Sequence, residues 1–120
     1  MSNKKRICLA LDLVDDADLI AEYEKRHRPE NAWPEITASI AGAGIEEMEI
    51  YRIENRLFMI MEVNEDFSPE AKTKSDAENP KVQAWEELMW KFQQPLASAQ
   101  PGEKWLLMKC IYRLSDALNS

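Results

Sequence analysis

Ile45-Glu46-Glu47-Met48-Glu49-Ile50-Tyr51-Arg52-Ile53-Glu54-Asn55-Arg56-Leu57-Phe58-Met59-Ile60-Met61-Glu62-Val63 is the stretch from which the fold can be read. Ile45 to Ile53 and Arg56 to Val63 are strand-like runs, and Glu54-Asn55 between them is a tight hairpin connection in which Asn55 tolerates a left-handed conformation. In the second run Leu57, Met59, Met61 and Val63 lie opposite Phe58, Ile60 and Glu62, so both faces are largely apolar. Such a strand belongs in the middle of a sheet covered on both sides. The chain's own helices supply one cover. A second copy is the economical source of the other, because most homo-oligomers are two-fold dimers, and the hairpin therefore predicts a homodimer through the sheet.

Working outward toward the N-terminus, Arg6 to Leu13 alternates Ile7, Leu9, Leu11 and Leu13 with smaller or polar residues, the pattern of a half-buried strand. Asp15 and Asp16 supply an N-cap and Asp18 a first-turn charge, so a helix runs from about Ala17 to about Arg28, where Pro29 stops it. Trp33-Pro34-Glu35 starts a second, short helix with an Ile36 and Ile40 stripe and Gly42 or Gly44 as its stop. Beyond the hairpin, Ser68-Pro69-Glu70 opens a short exposed helix over Lys72 to Glu78. Asn79-Pro80 then leads into a second main helix, with Val82, Trp85, Leu88, Met89 and Phe92 at helical spacing until Pro95. Leu96 to Glu103 is a loop, and Trp105 to Leu114, apolar on both faces, is the last strand. The order strand, helices, strand, strand, helix, strand predicts an α+β fold: a ferredoxin-like four-stranded antiparallel sheet with helices on one face.

At 120 residues the chain supports one core, hence a single domain over 1–120 with its folded part at about 6–114. A formal net charge of -7 argues against nucleic acid, which demands a basic surface. The basic clusters are Lys4-Lys5-Arg6, a solvated terminus, and Lys25-Arg26-His27-Arg28, hemmed in by Glu22, Glu24 and Glu30. Cys8 and Cys110 sit far apart with no CxxC or Cys/His grouping, and read as reduced, buried thiols of a cytoplasmic protein. No signal peptide or membrane span is visible, and no metal-ligand cluster is seen.

His27 is the sole histidine, and it ends the first helix. Leu19, Tyr23 and His27 are spaced four apart, so one helix face passes from packing residues to a phenol and an imidazole. Such a pair serves either proton transfer near neutral pH or hydrogen bonding at a core edge, and spacing alone does not decide. Trp33 either lines a pocket or staples its helix to a neighbour. Trp85 offers a face for the apolar side of a sugar ring or belongs to the core, and Glu86 beside it accepts hydroxyl hydrogen bonds or is solvated. Lys25, Arg26 and Arg28 push the His27 pKa down and the helix C-terminus pushes it up, with the balance open.

Taken in order, Tyr23-x-x-x-His27, Trp33-Pro34-Glu35, the hairpin with Tyr51 and Gln83-x-Trp85 resemble the L-rhamnose mutarotase family, from about Arg6 to about Leu114. The resemblance implies a dimeric α+β barrel formed through the sheet, acting without metal or organic cofactor to interconvert the anomers of a 6-deoxyhexose. It implies His27 as the proton donor and Tyr23 as a sugar contact, with Trp33, Glu35, Met48, Tyr51, Trp85 and Glu86 as further candidate substrate-binding residues. Two positions depart from the family's rhamnose enzymes: Met48 stands where they carry a tyrosine, and Trp85-Glu86 where they carry a tryptophan pair. The segment from His27 to Trp33 is also longer. Exchanging a phenol for a thioether and an indole for a carboxylate alters which hydroxyls find partners, favouring L-fucose, with L-rhamnose as the alternative. The complementary base is Glu35, Glu86, Tyr23, Tyr51 or water. The competing readings are a non-catalytic dimeric barrel that only binds, and a cofactor-free oxygenase on the same barrel.

Overall fold

Alternating small and branched side chains carry β1 from Lys5 to Leu13, and the remaining elements follow in the order α1 (Ala17–Arg26), α2 (Pro34–Gly42), β2 (Ile45–Ile53), β3 (Arg56–Val63), α3 (Pro69–Glu78), α4 (Pro80–Met89), β4 (Gln93–Gln94), β5 (Leu106–Leu107) and α5 (Leu114–Leu118). This computed structural model describes residues 5–119, so Lys4 of the basic terminal cluster lies outside the described residues. Lys5 and Arg6 of that cluster open β1 and are exposed.

The sheet order is β2-β3-β1-β4, with β5 also pairing β1, and every pairing is antiparallel. β3 is central, as its two apolar faces require. Helices pack on one face only, giving the α+β, ferredoxin-like arrangement. Leu13, Tyr23, Leu57, Met89 and Phe92 form the core between sheet and helices, joined by Leu19, Ile20, Ile50, Trp85, Leu88 and Trp105 at its margin. The other face presents the paired residues Cys8 with Ile60 and Ala10 with Phe58, all partly covered, and the exposed Tyr51 and Ile53. No helix among the described residues is long and apolar enough to cross a membrane.

Local chemistry sets the ends of the elements. The Asp16 carboxylate accepts from the Asp18 and Leu19 amides and caps α1, and the Asn31 amide donates to the Lys25 carbonyl at its far end. Asn79 closes α3 and caps α4 through its side-chain oxygen. Gly44 turns the chain from α2 into β2 at φ 95°, where a Cβ would lie 2.6 Å from Asn64 Oδ1 and 3.2 Å from the Phe67 amide nitrogen. Gly44→Ala is therefore expected to cost about 1–3 kcal/mol of stability, from backbone strain and crowding together. Gly42→Ala, with nothing within 4 Å of the added methyl, should be neutral or slightly stabilising. Urea unfolding of the two variants side by side checks this, and equal stabilities would contradict it.

Four expectations need correction. In the hairpin it is Glu54, at φ 51°, that takes the left-handed conformation. Asn55 instead pins the turn to the end of β1, its side-chain amide donating to the Leu13 carbonyl at 3.1 Å and its carbonyl accepting from the Leu13 amide at 2.6 Å. The second main helix ends at Met89 rather than Pro95, because Phe92 turns inward and Gln93–Gln94 pairs with Asp12 and Leu13 as β4. The last strand does not run from Trp105 to Leu114: it pairs only at Leu106–Leu107, and the ladder ends with the Met108 amide on the Cys8 carbonyl. A run apolar on both faces needs two covering layers, and one chain provides neither beyond Met108, so Ile111 and Tyr112 are 90% and 70% exposed. Cys110 lies on this segment and is exposed, not buried, while Cys8 is partly covered; neither is in a disulfide.

Candidate active site

Tyr23 and His27 occupy successive turns at the C-terminal end of α1, with His27 as its C-cap. The spacing of four stacks the two rings at 4.3 Å between centroids. His27 meets the edge of Trp85 from α4 at 5.4 Å, and Trp85 meets Trp33, the residue before α2, at 5.1 Å. Four aromatic rings from three segments thus run side by side along one cavity of about 500 Å³, whose floor is the helix-facing side of the sheet, including Leu9, Met48, Met59 and Met61. A second, more open hollow of about 750 Å³ shares Tyr23, His27, Met48 and Ile50 and extends toward β2. The Arg52 guanidinium bridges to Glu24 at 3.5 Å, tying β2 to α1 beside it.

His27 is partly open to solvent, and its ring nitrogens are not equivalent. Nδ1 lies 2.7 Å from the Tyr23 carbonyl one turn back, a contact that the N–H tautomer makes as donor. Nε2 is therefore the nitrogen left with a lone pair when the ring is neutral. Packing against Tyr23 and Trp85 lowers the His27 pKa from its ordinary value, a burial effect that outweighs the opposing hydrogen bond to the Tyr23 carbonyl. The helix end and the neighbouring cations are not what governs the shift.

The Tyr23 phenol is deeply buried, and its pKa is pushed up to about 12, mainly by burial; the Gln93 amide bonded to it works in the opposite direction and the Glu86 charge adds to the rise. It is a donor near neutral pH and not a base. Gln93 Nε2 lies 3.4 Å from the phenol oxygen, and Gln93 Oε1 is buried with no hydrogen-bond partner among the described residues.

Of the residues expected at the site, Tyr23, His27, Trp33, Met48, Trp85 and Glu86 line this one cavity. Trp33 both lines it and packs on Trp85, so the two readings of that residue hold together. Glu35 does not join them: it is exposed in the first turn of α2 and lines neither hollow, because the helix face that turns inward is that of Ile36 and Ile40. Tyr51 only borders the larger hollow; strand alternation sets it opposite Phe58 on the far sheet face, and its hydroxyl donates to Glu49 Oε2 at 3.0 Å.

Two wall residues and one behind the wall carried no sequence signal. Gln93 follows the end of an apolar helical stripe, Trp105 opens the apolar run of the last strand, and Lys104 sits in a Pro-Gly loop with no periodicity. Gln93 and Trp105 line the cavity, and the Lys104 ammonium reaches Glu86 Oε2 at 2.7 Å. Only the packing of the loop against α4 brings Lys104 there.

The arrangement holds a neutral imidazole with one free nitrogen, a protonated phenol, a carboxylate and two indole rings around a space the size of a small polar ring compound. The chain is 52% identical over 115 residues to an L-fucose mutarotase of Xanthomonas campestris pv. campestris, covering 96% of this chain and 92% of that protein. Its fold is similar to the crystal structure of an L-rhamnose mutarotase from Formosa agariphila, with a TM-score of 0.66 at 20% identity over 91% of this chain and 97% of that one. It is also similar to tetracenomycin F2 cyclase, a type-II polyketide cyclase of Streptomyces glaucescens, with a TM-score of 0.59 at 14% identity, again over 91% and 97% of the two chains. The model of the L-rhamnose mutarotase family matches residues 6–114, and with that span and that relative the chain belongs to the L-rhamnose mutarotase family.

Proposed function

We propose that this chain interconverts the α and β anomers of a 6-deoxy-L-hexose, with L-fucose as its better substrate and L-rhamnose second. The observation that carries the reading is the orientation of His27: Nδ1 is tied to the Tyr23 carbonyl, Nε2 makes no hydrogen bond among the described residues, and the ring meets the indole of Trp85 at 5.4 Å. A pyranose resting its apolar side on one of the two indoles, Trp33 or Trp85, would lie in the same cavity as that nitrogen. The preference for L-fucose rests on the 52% identical relative that bears that name and on Met48 and Glu86 in the cavity wall.

In the mechanism, neutral His27 takes the proton of the anomeric hydroxyl at Nε2. The bond between the anomeric carbon and the ring oxygen breaks as the carbonyl forms. The imidazolium then delivers its proton to the former ring oxygen, which hung from the same carbon and lies within reach of the same nitrogen. Rotation of the open-chain aldehyde and the reverse sequence on its other face give the other anomer. Tyr23 stays protonated and donates a hydrogen bond, and Glu86 accepts one from a sugar hydroxyl. Because the open-chain form is reached in water even without help, modest acid-base assistance to an oriented sugar is enough.

The test is saturation-transfer NMR of L-fucose and L-rhamnose with and without the protein. Faster exchange on L-fucose than on L-rhamnose is the expected result, and no acceleration on either would sink the reading. The reading places the protein in the cytosol, where its unpaired thiols stay reduced. It includes a homodimer through the sheet face of Cys8, Ala10, Tyr51, Phe58 and Ile60, which the helices leave uncovered. Sedimentation equilibrium is expected to return twice the chain mass. A monomer at all concentrations would remove the dimer from the reading.

A further inference from the structure

Lys104 is unusual among the ion pairs of this protein. Its side chain is only 10% exposed, although it lies in the loop between Gly102 and β5. The ammonium donates to Glu86 Oε2 at 2.7 Å and to the Glu86 backbone carbonyl at 3.0 Å, and it rests 4.4 Å from the centroid of the Trp90 ring. Three contacts of different kinds fix one flexible side chain, which a solvated surface pair does not require. The carbonyl contact also places the cation at the last turn of α4, where the helix dipole favours it.

Its partner Glu86 lines the cavity next to Trp85, and its charge is felt by the Tyr23 phenol. Asp76 is the other carboxylate in that wall, and Lys72 holds it at 2.7 Å from within the same helix, α3. With Oε2 of Glu86 committed to Lys104, Oε1 accepts from no donor among the described residues. A half-exposed carboxylate without such a tether samples several rotamers and turns toward water, and each immobilised rotamer weakens binding if it must be ordered by the ligand.

We infer that Lys104 is a positioning residue: by clamping Oε2 of Glu86 it pre-orders Oε1 as a fixed acceptor for one hydroxyl of the sugar, and so sets which 6-deoxyhexose the site prefers. This deepens the proposed function and rests on it. Because the clamp acts on ground state and transition state alike, its loss appears in KM more than in kcat. A sugar whose hydroxyl does not meet Glu86 loses nothing when the clamp is removed, so the ratio between sugars changes as well.

The experiment measures anomer exchange on L-fucose and L-rhamnose with the wild type, Lys104→Met, Lys104→Arg, Glu86→Gln and the Lys104→Met/Glu86→Gln double variant, with circular dichroism confirming each fold. Lys104→Met, which keeps the apolar stem, is expected to raise KM on the preferred sugar about tenfold with kcat within about threefold, and to shrink the preference between the sugars. Lys104→Arg should restore most of the loss. In the Glu86→Gln background Lys104→Met should add no further change, because a residue acting through another has no effect once that partner is gone. Independent, additive losses, or an unchanged KM and preference in Lys104→Met beside an active wild type, would overturn this inference alone. A wild type that accelerates neither sugar would overturn the proposed function and this inference with it.

Discussion

Replacing His27 by alanine is expected to slow protein-catalysed anomer exchange by about 10²–10⁴-fold, the range lost when a positioned general acid-base group is removed. In the proposed mechanism its Nε2, which makes no hydrogen bond among the described residues, takes the proton, and the phenol beside it, at a pKa of about 12, cannot take over as a base. In the proposed mechanism the same group sets the acid limb of the rate. Because the His27 pKa lies below its ordinary value of 6.5, the ring stays neutral as pH falls through 6.5, and activity is expected to decline only at lower pH, where Nε2 is protonated. Stability moves in the same direction. Between the unfolded value and the lower folded one, the unfolded chain binds the proton that the folded one resists, so stability falls as pH drops through that window. Exchange rates by NMR from pH 4 to 8 for the wild type and His27→Ala check the first and urea unfolding over the same range the second, and a variant retaining most of the rate would exclude His27 from the chemistry.

Phe92→Ala is expected to cost about 3–5 kcal/mol, a large share of the roughly 5–15 kcal/mol that holds a domain of this size together. The ring is 1% exposed and packs 6.0 Å from Tyr23 at the centre of the core, with the Arg26 guanidinium 5.7 Å from its centroid. Its carbonyl accepts from the Val14 amide, which joins the turn after α4 to the end of β1. Alanine cannot fill that volume, because the sheet on one side and α1 on the other are both fixed by their own ladders. Thermal unfolding should show a fall on the order of 15 °C. Since Tyr23 leans on the same ring, the variant should also loosen sugar binding. A loss below about 1 kcal/mol would mean that the core collapses into the space without strain.

The hairpin, the capped helices and the central position of β3 were legible because each rests on periodicity or on a local hydrogen bond: alternation in Leu57 to Val63, Asp16 on its own helix, prolines at the first turns of α2, α3 and α4. Tyr23, His27 and Trp85 were legible for the same reason, since helical spacing decides which side chains share a face. Where the reading failed, non-local packing decided. Trp105 to Leu114 has the pattern of a strand, yet a pattern shows only that a segment is apolar on both faces and does not supply the layers to cover it. Glu35 and Glu86 look equivalent as carboxylates near aromatic residues, and only the way their helices pack sends one outward and the other into the cavity wall. Lys104 had no signal at all, because its role depends on a loop folding back across α4.

The hydrogen bond between His27 Nδ1 and the carbonyl of Tyr23 is made within a single helix, so the tautomer is set by local geometry and does not wait for a loop or lid to close. One ring nitrogen is closed off by the backbone, and in the proposed mechanism the other is the port through which the proton passes. The proton removed from one oxygen of the sugar is therefore the one available to the other, and a turnover can finish without a water wire or any exchange with bulk solvent. On that mechanism one titrating side chain suffices for the chemistry, leaving the rest of the cavity to recognise the sugar.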